Sequence, residues 1–297
     1  MYNFFHAQDS LNRPLVIGVN LRGIGGDASM EVLCSTGSLS RLPIREVFLI
    51  AKEAGFDGCE LVVGKNFNRA GYKDEVLECL NILPIHSLHA PYVHIASWGD
   101  ERQALARCIE LAREIGAKVV TFHPPSWWTR EFKFYKWFKN MQNFQEEFGC
   151  DGVALSIENM PLIKLVIPSY VLNNFKKLIR FGLQRNLYFT YDITHIGTYG
   201  YDIVNAFLIY LETGRLKNIH LSDYSLWREK SHLGIGRGEL PIVRLLNTMR
   251  RLGYDEMVTL EIAPQELPRT NEWLLKVMSY SAAFLKLHLG RNNAIQE

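Results

Sequence analysis

The sequence predicts one α/β domain, a single (β/α)₈ TIM barrel spanning residues 1–297, on three observations. Short apolar runs alternate with longer segments of helical period. Eight such pairs follow one another, and no second block of different composition interrupts them. Barrels of this type run to roughly 250 residues or more as one domain, so the length of 297 fits.

The elements follow in order. Leu15–Val19 reads as the first strand, and after a Gly-rich loop a helix covers Ile44–Ala54. Gly58–Val63 is the second strand, with Asp74–Leu80 as a short helix. Ile85–His89 is the third, followed by Arg102–Ile115, which Gly116 stops. Lys118–His123 is the fourth, and helical period resumes over Phe132–Phe148. Val153–Glu158 and Tyr170–Phe181 form the fifth pair, Leu187–Asp192 and Ile203–Leu211 the sixth. Leu216–Leu221 and Ile242–Arg251 form the seventh, Met257–Ile262 and Trp273–Leu287 the eighth. Each strand is short and rich in apolar residues, as strands covered on both faces should be. A doubly wound sheet fits less well: Gly23, Gly25 and Gly26 do not make the Gly-x-Gly-x-x-Gly turn of a dinucleotide fold.

Composition narrows the class. With 47% hydrophobic and 22% charged residues the chain can bury a large core. The net charge of +2 builds in no strong pull on nucleic acid or anionic membrane. Cys34, Cys59, Cys79, Cys108 and Cys150 are odd in number and scattered, which suits buried reduced thiols rather than disulfides or a cysteine zinc cage. Met1–Pro14 is polar and lacks a secretion-signal pattern, and no apolar stretch nears the ~20 residues that span a bilayer. A cytoplasmic protein without a membrane partner is expected.

In a barrel of this type chemistry gathers at the C-terminal ends of the strands. Those positions hold His89, His123, Glu158, Asp192, His220 and Glu261, with His195 three residues past Asp192 and His232 in the loop after the seventh strand. Five of the nine histidines thus fall at one end. A lone polar residue at a strand end is more often a satisfied side chain than a ligand, and Glu60, His86 and His94 are set aside on that ground. For Glu158, Asp192, His220 and Glu261 together this is a poor explanation, because three buried carboxylates are costly unless a cation sits among them. Zinc, manganese and iron accept such ligands.

Several segments carry a family resemblance. They are His-Ala-Pro-Tyr at His89–Tyr92, Phe-His-Pro at Phe122–Pro124, Glu-Asn at Glu158–Asn159 and Asp-Ile-Thr-His at Asp192–His195. His-Leu-Ser-Asp at His220–Asp223, His232 with Gly236-Arg-Gly238, and Leu-Glu at Leu260–Glu261 continue the series. In this order on successive strands, they resemble the xylose-isomerase-like barrels. That family includes sugar isomerases, epimerases and the endonuclease IV type of apurinic-site nuclease.

For the isomerases and epimerases, the resemblance implies one divalent metal (Mn, Zn, Mg or Co) on Glu158, Asp192, His220 and Glu261. Glu158 and Glu261 would also move protons on opposite faces of the substrate through a metal-stabilised enediolate. His195 would bind or orient the sugar, and Arg237 would pair with a phosphate or carboxylate, unless it is simply a solvent-facing loop residue.

For the nucleases, the resemblance implies three zinc ions, the first on His89 and His123 and the third on His195 and His232. The aspartate of that third site is Lys230 here, a cation that would repel a metal unless Glu229 reaches in. Two metals therefore fit the sequence better than three. Tyr92 matches a residue the nucleases use beside DNA, although packing at the barrel rim is the commoner explanation for such a tyrosine.

Trp127–Lys139 interleaves aromatic and basic residues. It reads as a helix burying its aromatic face with lysines in water, with a nucleic-acid surface or a lid or subunit contact as alternatives. The reading taken is a metal-dependent isomerase or epimerase of a small-molecule sugar or sugar phosphate. The alternative is an endonuclease IV-like phosphoester hydrolase; nucleic acid is disfavoured as a partner and a homo-oligomer left open.

Overall fold

The computed structural model describes residues 30–127, 131–162 and 170–291. The strands in chain order are β1 (Glu31–Ser35), β2 (Gly58–Val62), β3 (Ile85–His89), β4 (Val119–Phe122), β5 (Ala154–Glu158), β6 (Tyr188–Asp192) and β7 (Leu216–Leu221). A short hairpin, β8 (Asp223–Ser225) and β9 (Lys230–Leu233), precedes β10 (Met257–Leu260). Eight of them close in the order β1-β10-β7-β6-β5-β4-β3-β2, every pair parallel. This is the predicted barrel.

One strand departs from the sequence expectation. Leu15–Val19 lies outside the described residues, and the strand that seals β10 to β2 is Glu31–Ser35, pairing Cys34 with Leu260 on one side and with Cys59 on the other. Its core is only Val32, Leu33 and Cys34, a weaker apolar run than Leu15–Val19, but both its edges find partners. Asp57 fastens the seam by accepting from the Val32 amide and from Lys286 at 2.8 Å each.

The helices around it are α1 (Ile44–Glu53), α2 (Tyr72–Cys79), α3 (Glu101–Ile115), α4 (Phe132–Asn140), α5 (Phe144–Glu147), α6 (Phe175–Gln184), α7 (Ile193–Thr198), α8 (Ile203–Glu212), α9 (Ile242–Arg251) and α10 (Asn271–His288). Helix α3 starts at a capping box between Asp100 and Gln103 and stops at Gly116, whose φ of 76° suits glycine. The expected helix Phe132–Phe148 is two helices, because Met141 turns extended and Asn143 caps a new start. The expected helix from Tyr170 begins at Phe175 instead, capped by Asn174, while Tyr170 bridges to Ser126.

The outer faces of the strands and the inner faces of the helices share one apolar core. The barrel interior is different. Leu33, Val119 and Met257 form a small separate plug. Above it, side chains bond between strands that are not neighbours, so they point inward. Thr121 of β4 meets Thr190 of β6 at 2.8 Å, and Glu60 of β2 accepts from Asn218 of β7 at 2.9 Å. Two residues beyond Thr121, Thr190 and Asn218, on the same inward face, stand His123, Asp192 and His220 of the mouth. No described helix is long and apolar enough to cross a membrane.

Candidate metal centre

Two strand ends are locked together by side chain to backbone bonds. Asn159, next to Glu158, donates to the Asp192 carbonyl at 2.9 Å and accepts from the Asp192 amide at 3.0 Å. Asp192 then caps α7: its Oδ1 accepts from the His195 amide at 2.7 Å, as N-cap aspartates do three residues ahead. That single turn folds His195 back over β5, where its Nδ1 donates to the Asn159 carbonyl at 2.7 Å. The β8–β9 hairpin brings His232 from the other side. Its φ of 54° is costly for a histidine and is held by the hairpin. The Nε2 atoms of His195 and His232 face each other at 3.3 Å.

Glu158 is the hub, with 1% of its surface exposed. Its Oε2 lies 3.2 Å from His89 Nε2 and 3.0 Å from His123 Nε2. Its Oε1 lies 3.3 Å from His195 Nδ1 and 3.4 Å from His220 Nδ1. Three overlapping groups result, the donor atoms of each lying within 4.8 Å of one another: His89, His123 and Glu158; Glu158, Asp192, His220 and Glu261; and Asp192, His195 and His232.

The charges of these groups are strongly interdependent. Burial would hold His220 neutral, but Glu60, Glu158 and Glu261 outweigh it and raise its pKa well above the usual imidazole range. Burial opposes charge on His195 too, yet Asp192 and Glu158 push it up to about 9. Glu158 and Glu261 resist the upward pull of burial and fall below the usual carboxylate range, chiefly through His220. Burial raises Asp192 and lowers His123. Protons on imidazoles here neutralise carboxylates, the work a divalent cation does when it binds ionised carboxylates and neutral imidazoles.

The donor set fits such a cation. Asp192 Oδ2, His220 Nδ1 and Glu261 Oε2 are buried without a hydrogen-bond partner, and all three belong to the four-residue group. Unpartnered polar atoms are expensive in a core, and three converging on one point are accounted for by a shared ion.

The expectation for Lys230 is corrected. Lys230 does not enter the third group; its Nζ sits 2.5 Å from Glu266 Oε1 at the rim, so the expected repulsion is absent. Asp192 supplies the carboxylate there, making three donor groups where the sequence suggests two. Arg237 lies outside all three, 55% exposed and 3.7 Å from the same Glu266. Asp223 shapes its loop by accepting from the Gly236 and Gly238 amides at 3.0 Å each. A Cβ on Gly238 would lie 2.3 Å from the Tyr224 carbonyl.

Tyr92 is an exposed rim residue whose ring lies 6.3 Å from that of His123. In the aromatic and basic segment, Trp128–Arg130 lies outside the described residues. Over α4, Phe134 and Phe138 are buried while Lys133, Lys136 and Lys139 are exposed, the amphipathic arrangement. A cavity of about 730 Å³ opens beside His123, between Tyr92 and Tyr170.

A family model described as xylose isomerase-like TIM barrel matches residues 48–278. An uncharacterized protein of Mycobacterium tuberculosis is 25% identical over 298 residues, covering 89% of this chain and 99% of that one. Another from Methanocaldococcus jannaschii is 26% identical over 190 residues, 59% of this chain and 63% of its own. Among solved structures, a D-tagatose 3-epimerase-like protein superposes with a TM-score of 0.63 at 20% identity, covering 88% of this chain and 97% of that one. D-Psicose 3-epimerase of Clostridium cellulolyticum does so with 0.66 at 12%, covering 88% and 99%. A probable 3-DHS dehydratase of Bacillus anthracis gives 0.62 at 16%, covering 84% and 97%. At these identities the structures carry the fold alone.

Proposed function

The chain belongs to the xylose isomerase-like TIM-barrel family, and we propose that within it the protein is a divalent-metal-dependent isomerase or epimerase of a sugar or sugar phosphate. The observation that carries the reading is the convergence of the unpartnered Asp192 Oδ2, His220 Nδ1 and Glu261 Oε2 with Glu158. A cation held by these residues would supply positive charge beside the substrate oxygens and so make the neighbouring carbon more acidic.

The chain's own residues do the rest. Glu158 ends β5 and Glu261 follows β10, with β6 and β7 between those strands, so a sugar entering the mouth would meet both carboxylates. One takes the proton from carbon and the other returns one, a pairing of base and acid. Glu261, with 26% of its side chain exposed, is the more open of the two. His195 and His123 would bond sugar hydroxyls, and the cavity beside His123 would take the rest of a small molecule. The similar structures include a D-tagatose 3-epimerase-like protein and a D-psicose 3-epimerase, which supports a small sugar as the substrate class.

The test is hydrogen exchange. Incubated in heavy water with a panel of ketoses and ketose phosphates, the metal-loaded protein should place deuterium on a substrate carbon, seen by NMR. Glu158→Gln and Glu261→Gln should each stop it. Product formed by direct hydride passage, with turnover intact in both variants, contradicts the mechanism.

A second reading rests on one feature. Glu158 offers Oε2 to His89 and His123, and Oε1 to His195 and His220. A carboxylate so divided suits bridging two cations, the arrangement that serves phosphoester hydrolysis. Cleavage of bis(p-nitrophenyl) phosphate, with no carbon-bound deuterium in any sugar, would favour this endonuclease IV-like alternative.

A further inference from the structure

We propose that Glu60 is a positioning residue for the metal centre: from below the mouth it holds His220 in the tautomer and orientation that present Nδ1 as a ligand. The inference rests on the metal reading above. Glu60 belongs to β2 and His220 to β7, strands that are not neighbours, and both side chains are fully buried.

His220 Nε2 lies 3.1 Å from each Glu60 oxygen. Glu60 Oε2 also accepts from Ser87 Oγ at 2.8 Å and from Asn218 Nδ2 at 2.9 Å. Asn218 is fixed in turn by Thr259, whose hydroxyl donates to Asn218 Oδ1 at 3.0 Å. A carboxylate facing Nε2 keeps a proton on that nitrogen. Nδ1 is then the nitrogen turned to the mouth, 3.0 Å from Glu261 Oε2 and 3.4 Å from Glu158 Oε1, and it is the one that would release its proton to take a cation.

The other histidines of the mouth are anchored differently. Nδ1 of His89 donates to the Ala90 carbonyl at 2.7 Å, and Nδ1 of His195 to the Asn159 carbonyl at 2.7 Å. Nδ1 of His232 is 3.3 Å from the Glu261 carbonyl. Those anchors are backbone carbonyls, although Glu158 Oε1 also stands 3.3 Å from His195 Nδ1, whereas His220 is anchored at Nε2 by a carboxyl side chain from across the barrel. A carboxylate behind a ligating imidazole fixes the ring and makes it a stronger donor. Packing alone would be served by a neutral side chain at lower cost, since a buried carboxylate must be offset by what it bonds. Here the offset runs through His220 to whatever His220 holds.

The test measures zinc affinity, not activity. Apo protein is titrated against a chromophoric chelator, following the zinc equivalent that Glu261→Ala removes. Glu60→Gln, which keeps the shape but not the charge, should weaken that equivalent about tenfold or more. Ser87→Ala, which removes another bond to the same Glu60 oxygen without touching His220, should change it less than threefold. A Glu60→Gln shift below tenfold, or Ser87→Ala weakening zinc as much, overturns the inference while leaving the metal reading intact. Wild-type protein that takes up no zinc overturns both. Should Glu60→Gln fail to fold, Glu60→Asp retains the charge but withdraws it from Nε2; unchanged zinc affinity in that variant is equally fatal to the proposal.

Discussion

At the scale of single residues, the mouth follows a two-residue rule along the strands. Ser87 precedes His89, Thr121 His123, Ser156 Glu158, Thr190 Asp192, Asn218 His220 and Thr259 Glu261. The second member of each pair is legible in the sequence because a barrel strand ends there. The first member is equally visible, as a small polar residue in an apolar strand, and it marks the layer on which the mouth rests. Glu60 is not legible as a partner of His220, since it comes from a strand across the barrel. The direction of Lys230 is not legible either, because the hairpin that carries it contains positive φ at Glu229 and His232.

Two predictions belong to this scale. Glu261→Ala should lose metal and reduce turnover by at least about 100-fold. The apo fold should survive, because Glu261 stands at the open mouth with 26% of its side chain exposed, outside the packed core. Retention of full metal and full turnover, by elemental analysis and steady-state assay, would refute the assignment. Arg237 and Lys230 share Glu266 at the rim, so Arg237→Ala should raise KM for a phosphorylated substrate more than for its unphosphorylated analogue. Equal changes in KM would leave Arg237 as a surface residue.

At the scale of elements, seven of the barrel strands are legible because each is a compact apolar run with a polar end. The eighth, β1, is not, because the longer apolar run Leu15–Val19 competes with it in the sequence and Glu31–Ser35 is selected by closure between β10 and β2. Its Leu33 is fully buried against Val119 and Met257. Leu33→Ala should therefore cost about 2–5 kcal/mol in denaturant unfolding. A change near zero would mean that this strand does not close the barrel.

The N-cap of α8 gives a pH-dependent counterpart. Asp202 accepts from the Val204 and Asn205 amides and pairs with Arg244. Partial burial works against its charge, but these bonds prevail and lower its pKa below 3.8. A lowered folded pKa stabilises above the unfolded value and loses that contribution as acid protonates the group. Asp202→Ala should thus cost about 0.5–2 kcal/mol at neutral pH. The difference from wild type should shrink as the pH falls through the lowered pKa; one that grows in acid would contradict the cap.

At the scale of the whole molecule, closure of the barrel brings together residues from Glu60 to Glu261 that sequence distance separates. The near-balanced charge of +2 leaves recognition to the mouth rather than to a broad surface field. A cation bound only by the folded mouth should stabilise the fold, so chelation should lower Tm and added zinc should restore it. The most direct measurement is the metal content, by elemental analysis, of protein purified without chelator and of its His89→Ala, His123→Ala double variant. The account predicts at least one equivalent of divalent metal per chain in the wild type, retained in the double variant on Glu158, Asp192, His220 and Glu261. A wild type that binds no metal would contradict the metal centre itself, and loss of a full equivalent in the double variant would contradict the isomerase reading in favour of the hydrolase.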